Sequence, residues 1–194
     1  MNQHVLLVDN HDSFTFNLVY DLEALGCTTE VYRNDVRCDF LLDRARATAA
    51  AFMLSPGPGG PADAGVCTEL VRAAAGEFGV LGICLGHQVI VDAFGGRVGA
   101  SPSIVHGRAS VIHRADHALF SGLPAELSVG RYHSLAAQVI PDDLEGIATT
   151  PDGVVMAVAH RTARVAGFQF HPESILTTRG RPLLAGALAW VTQR

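Results

Sequence analysis

Strands and helices alternate through the first half of the chain in its pattern of hydrophobic positions. Val5 to Val8 is an unbroken apolar run, as expected of a parallel strand covered on both faces. A helical stretch follows, with Phe14, Leu18, Leu22 and Leu25 along one side, Asp12 or Ser13 as its cap and Gly26 as its stop. Thr28 to Tyr32 predicts a second strand, Phe40 to Ala47 a short helix and Ala50 to Leu54 a third strand. The turn-rich loop Ser55-Pro56-Gly57-Pro58-Gly59-Gly60-Pro61 then leads to a helix from about Gly65 to Ala75, with Val66, Leu70 and Ala74 inward. Gly79 to Ile83 predicts a fourth strand, and Gly86 onward a helix presenting Val89, Ile90, Ala93 and Phe94 on one face. Alternation at this spacing implies βαβ units: an α/β fold with a central, mainly parallel sheet flanked by helices.

After Gly95-Gly96 the pattern changes to short β-like pieces at Val105 to Ile112, Leu127 to Tyr132, Gly146 to Thr150, Val154 to Ala159 and Val165 to Phe170. Turn residues such as Pro151-Asp152-Gly153 separate several of them, so additional antiparallel strands are expected as hairpins beside the parallel core. Pro182, at the first helical position, starts a closing helix with Leu184, Leu188 and Val191 on one side. No linker, repeat or low-complexity stretch divides the chain, and at 194 residues and 48% hydrophobic it can bury one substantial core. Residues 1–194 therefore read as one domain.

A net charge of -5 argues against nucleic acid or an anionic membrane as partner, because both call for clustered Lys and Arg. Met1-Asn2-Gln3-His4 runs straight into the first strand without a basic or apolar leader, and no later run reaches membrane-spanning length. A cytoplasmic location is the expectation. Cys27, Cys38, Cys67 and Cys84 fit neither a zinc site nor a compact disulfide framework, so they are expected as reduced thiols.

Candidate chemistry centres on Gly82-Ile83-Cys84-Leu85-Gly86, which puts a cysteine in the turn between the fourth strand and its helix. Glycines on either side permit a tight elbow that lifts the side chain at the sheet edge. The helix N-terminus beneath it favours a thiolate and offers free N–H groups to an oxyanion. A cysteine at a strand end is more often a small buried hydrophobe, so the assignment needs a base and an orienting group. His171 and Glu173 supply them: the apolar strand ends at Phe168-Gln169-Phe170-His171-Pro172-Glu173, and Pro172 enforces an exit that can point imidazole and carboxylate the same way. Alone, His-Pro-Glu would read as a capped strand end with a solvated carboxylate. His113 and His117 have the spacing of a helical metal pair, but Arg114-Ala115-Asp116 gives no helical face, so a polar loop is preferred and no metal is assigned. Gly57-Pro58-Gly59-Gly60 lacks the lysine of a phosphate loop; its backbone N–H groups can instead face the crevice outside the carboxyl ends of the strands.

Taken in order, Ser55-Pro56-Gly57-Pro58-Gly59, Gly82 to Gln88 and His171-Pro172-Glu173 resemble the class I, triad-type glutamine amidotransferases, and the resemblance covers essentially the whole chain. Asp9 to Thr15, His106-Gly107-Arg108, Arg131-Tyr132-His133-Ser134-Leu135 and Ser174-Ile175-Leu176-Thr177 are similar to the small glutaminase subunits of anthranilate synthase and aminodeoxychorismate synthase. The Ser174 to Thr178 stretch leans toward the former. The resemblance implies that Cys84 attacks the side-chain amide of glutamine, with His171 as acid and base and Glu173 as its orienter. It also implies that Leu85 and Gly57 N–H groups hold the oxyanion, and that Gln88, the backbone of Gly57, Pro58 and Gly59, and Ser134-Leu135 hold the amino-acid end. No cofactor is implied in this chain, with magnesium expected only in a partner. That partner is a chorismate-binding synthase consuming the ammonia, facing Asp12, Ser13, Phe14, His106, Gly107 and Ile175. A non-catalytic scaffolding subunit and a γ-glutamyl peptide hydrolase remain as alternatives.

Overall fold

The computed structural model describes residues 3–193, so Met1, Asn2 and Arg194 lie outside it. In the first half, β1 (His4–Asp9), α1 (Thr15–Ala24), β2 (Thr28–Arg33), α2 (Cys38–Thr48), β3 (Ala51–Leu54), α3 (Cys67–Ala74), β4 (Val80–Ile83) and α4 (Leu85–Ala93) alternate as the apolar pattern predicts. The second half contributes β5 (Arg97–Arg114), β6 (Glu126–Val139), β7 (Leu144–Thr149), β8 (Val155–His160), β9 (Val165–Phe168) and α5 (Gly180–Val191). Among the described residues nine strands join one sheet, in the order β2-β1-β3-β4-β9-β8-β7-β5-β6.

Each face of the parallel part is covered by helices, which is why β1, β3, β4 and β9 read as continuous apolar runs. Leu18 and Leu22 of α1 and Leu183, Leu184 and Leu188 of α5 pack on one face with Val5, Leu7, Met53 and Leu81. Leu41 of α2, Leu70 and Val71 of α3 and Val89 and Ile90 of α4 pack on the other with Leu6, Val8, Phe52 and Val80. Alternate residues of each strand thus feed two separate apolar layers.

Several sequence expectations need correction. The piece at Val165 to Phe170 is a strand only over Val165–Phe168, and besides closing a hairpin with β8 it enters the parallel core: β9 pairs antiparallel with β8 and parallel with β4, Gly82 opposite Gly167 and Ile83 opposite Phe168. The pieces at Val105 to Ile112 and Leu127 to Tyr132 are parts of a far longer ribbon, β5 against β6, whose polar, half-exposed positions hide strand continuity from a hydrophobic scan. Pro182 sits third in α5, which begins at Gly180; its lack of an N–H costs no helical bond there, because the first four helical N–H groups have no intrahelical acceptor. The cap of α1 is also different. Position Phe14 precedes the helix and makes no side-chain cap, while the Asp12 carboxylate accepts the Phe14 N–H at 2.8 Å and Ser13 is exposed. The Pro151-Asp152-Gly153 turn joins β7 and β8 in the antiparallel hairpin expected.

Candidate active site

Because β4 and β9 run parallel in register, their carboxyl ends deliver the next residues of both strands to one place. Cys84 follows β4, and its N–H donates to the Phe168 carbonyl at 2.7 Å. The turn into α4 holds Cys84 at φ 51° and ψ -99°, a conformation that L-residues rarely adopt and that persists only when the surroundings enforce it. Enforcement comes from packing. A Cβ on Gly82 would collide with the Gly86 carbonyl, and one on Gly86 would collide with the Leu54 carbonyl, so only glycines let the elbow close against β3. The thiol is buried, and Leu85, first residue of α4, has an N–H with no intrahelical acceptor.

His171 and Glu173 lie on the chain leaving β9, and the His171 N–H bonds the Gly130 carbonyl of β6, which fixes the exit path. His171 Nδ1 donates to Glu173 Oε1 at 2.6 Å, leaving Nε2 toward Cys84. Nε2 is buried and makes no aligned hydrogen bond, yet the thiol is close enough to act on the ring's charge. Burial works against a charged imidazole, but the Cys84 thiol and the Glu173 carboxylate outweigh it and raise the His171 pKa from 6.5 to about 10. The rings of Tyr132 and Phe14 stand edge-on to His171, centroids 5.0 and 5.9 Å away, and limit its rotation.

This shift has a sign that can be measured. A folded-state pKa above the unfolded one contributes stability that is complete below about pH 6.5 and is lost as pH rises toward about 10. Glu173→Gln removes one of the groups that raise it, so the variant is expected to be more destabilised at about pH 6 than at about pH 10. Urea unfolding at the two pH values checks this; a pH-independent difference would contradict the assignment.

The loop after β3 forms the facing wall. Asn10 N–H donates to Ser55 Oγ at 2.8 Å, Asn10 Nδ2 to the Ser55 carbonyl at 2.9 Å, and Asn34 Nδ2 to Asn10 Oδ1 at 3.1 Å. This buried amide cluster anchors the loop so that Gly57 lies against Asn10 and Leu85; Pro58 and Gly59 are exposed, and Gly60 abuts the Leu135 side chain. Gln88, one turn into α4, is buried and donates from Nε2 to the Leu135 carbonyl at 3.1 Å and to Gln169 Oε1 at 3.2 Å. Gln169 Nε2 in turn donates to Cys84 Sγ at 3.7 Å. The structure therefore brings Gly57, Leu85, Gln88 and Leu135 together around Cys84, with Ser134 exposed beside them.

Gln169 escaped the sequence reading, although a glutamine inside the apolar run Val165 to Phe170 was a signal: a fully buried amide needs partners. Of the residues expected to face a partner, Ser13, His106, Gly107 and Ile175 are exposed, Ile175 at 96%, while Asp12 and Phe14 are half-buried and engaged in local contacts. His113 and His117 are not brought together as ligands: His113 faces Glu126 across the ribbon, and the His117 ring lies on Trp190.

Fold and site together define an α/β protein with a cysteine elbow facing a paired histidine and carboxylate. The family model Glutamine amidotransferase class-I matches residues 6–189. Anthranilate synthase component 2 of Vibrio parahaemolyticus is 42% identical over 192 residues, covering 98% of this chain and 97% of that protein. The protein of the same name from Buchnera aphidicola is 43% identical over 190 residues, with 97% and 94% covered. Among solved structures, a glutamine amidotransferase from Thermotoga maritima superposes with a TM-score of 0.83 at 15% identity, covering all of both chains, a likeness of fold. The chain belongs to the class I glutamine amidotransferase family.

Proposed function

We propose that this chain hydrolyses the side-chain amide of glutamine at Cys84 and passes the ammonia to a chorismate-using synthase that makes anthranilate, on the route to tryptophan, in the cytoplasm. The observation that carries the reading is the convergence of Cys84, His171 and Glu173 at the carboxyl ends of two neighbouring parallel strands. The near-full-length relatives named anthranilate synthase component 2 support the choice of pathway.

In this reading Cys84 Sγ attacks the amide carbon with its proton held on His171, a base whose proton affinity Glu173 helps to raise. The oxyanion is received by the N–H groups of Leu85 and Gly57. His171 returns the proton to the departing nitrogen, ammonia leaves, and a γ-glutamyl thioester remains on Cys84. Water, activated by His171, then releases glutamate and restores the thiol. Gln88 is oriented for the amino-acid end: its Nε2 is spent on the Leu135 carbonyl and Gln169 Oε1, which leaves Oε1 to accept from the substrate's ammonium.

The exposed Ile175, two residues beyond Glu173, and the exposed Phe16 and Tyr20 of α1 give the catalytic side an apolar surface suited to the synthase. Asn17, Tyr20, Ser174, Ile175 and Arg181 line one groove there, of about 600 Å³. Reconstitution tests the pathway. With amide-labelled glutamine, chorismate and magnesium, an anthranilate-forming synthase is expected to give labelled anthranilate in the presence of this chain. Transfer only to an aminodeoxychorismate-forming synthase would overturn the choice.

A further inference from the structure

Polar side chains continue from the site into the interior of the β5–β6 ribbon. Arg131 and His133 are each only 3% exposed, a costly placement unless their polar atoms are paired. Arg131 Nε donates to His133 Nε2 at 3.2 Å, and Arg131 Nη2 to Ser103 Oγ at 3.2 Å. A guanidinium only donates, so His133 Nε2 must accept and its ring proton resides on Nδ1. Nδ1 lies 2.9 Å from the Leu135 carbonyl and therefore donates to it. Burial, reinforced by the charge of Arg131, pushes the His133 pKa down to about 4, so this neutral tautomer persists.

The Leu135 carbonyl accepts from His133 and from Gln88, and Gln88 leads through Gln169 to the thiol. An unbroken series of hydrogen bonds thus joins a buried guanidinium to Cys84. The ribbon is irregular at the same place: pairing jumps from Ala100 opposite Leu135 to Val105 opposite His133, so Ser134 faces a bulge that Arg131 grips through Ser103. A glutamine amide has nearly the same shape when flipped, and only its hydrogen-bond partners decide which end presents oxygen.

We propose that Arg131 and His133 are positioning residues: they fix the Leu135 carbonyl and thereby the amide sense of Gln88, so that the site selects electrophiles carrying an α-amino-acid end. The proposal rests on the reading of Cys84 as nucleophile.

Two electrophiles separate the claims in the full-length chain: 6-diazo-5-oxo-L-norleucine, which has an amino-acid end, and iodoacetamide, which has none. His133→Phe is expected to slow Cys84 modification by the first reagent about tenfold, in line with loss of a buried hydrogen bond, and by the second less than about twofold. His133→Asn, whose amide N–H stands where Nδ1–H was, is expected to recover to within about threefold of the parent rate. If His133→Phe fails to fold, Arg131→Lys carries the same comparison, keeping the charge but not the forked donor. Equal slowing of both reagents, or of neither, would overturn the proposal while leaving Cys84 as nucleophile. A parent chain whose Cys84 reacts with neither reagent would overturn both.

Discussion

Cys84→Ala is expected to reduce glutamine-dependent ammonia release by at least about 10⁴-fold, measured with the full chain in complex with its synthase. Removing a covalent nucleophile leaves only binding and oxyanion stabilisation, and neither supplies a route to the thioester. The fold should survive, because the strained backbone at Cys84 is imposed by the elbow's neighbours, and a small side chain at the same position keeps that packing. Strain makes a second prediction at the same residue. Glycine tolerates φ 51° and ψ -99° where alanine does not, so Cys84→Gly is expected to be more stable than Cys84→Ala by about 1–3 kcal/mol, equally inactive, in urea unfolding. If the alanine variant retained a tenth of parental turnover, or if the glycine variant were the less stable, the elbow would not be what it is here taken to be.

His171→Asn is the other change of large effect, with an expected loss of about 10³-fold or more in kcat/KM. Nε2 of His171 is the one ring nitrogen left facing Cys84 once Nδ1 is committed to Glu173, and the proton movements of the reaction pass through it. Asparagine can keep a bond to Glu173 but has no group that both takes and returns a proton near neutral pH. Because Tyr132 and Phe14 hold the ring edge-on, their truncation should act on His171's orientation and cost far less than loss of the ring itself. A His171→Asn enzyme turning over within tenfold of the parent would mean that another base serves Cys84.

How much of this was legible in the chain depends on where each partner sits. The strands from β1 to β4 could be read because parallel strands buried on both faces leave unbroken apolar runs, and Cys84 could be read because its glycines are local to it. The place of β9 was not legible: its residues look like any short buried strand, and only pairing shows that it slips between β4 and β8 and so brings His171 to Cys84. Arg131, His133 and Gln169 stand in segments whose motifs were recognised, yet their roles were hidden because the chain of contacts that joins them runs through Ser103 at a bulge of β5 and Gln88 on α4, far away in sequence. Asn10 and Ser55 were likewise invisible as a pair, since the cluster that anchors the Gly57 loop joins residues 45 apart.

The claim that Cys84 carries the substrate is tested most directly by acid-quenching the enzyme during glutamine turnover and mapping the adduct by mass spectrometry. A γ-glutamyl group on the peptide containing Cys84, released by hydroxylamine as γ-glutamyl hydroxamate and missing from Cys84→Ala, is the predicted result. Sustained ammonia release with no adduct at Cys84, or with undiminished turnover in Cys84→Ala, would contradict it.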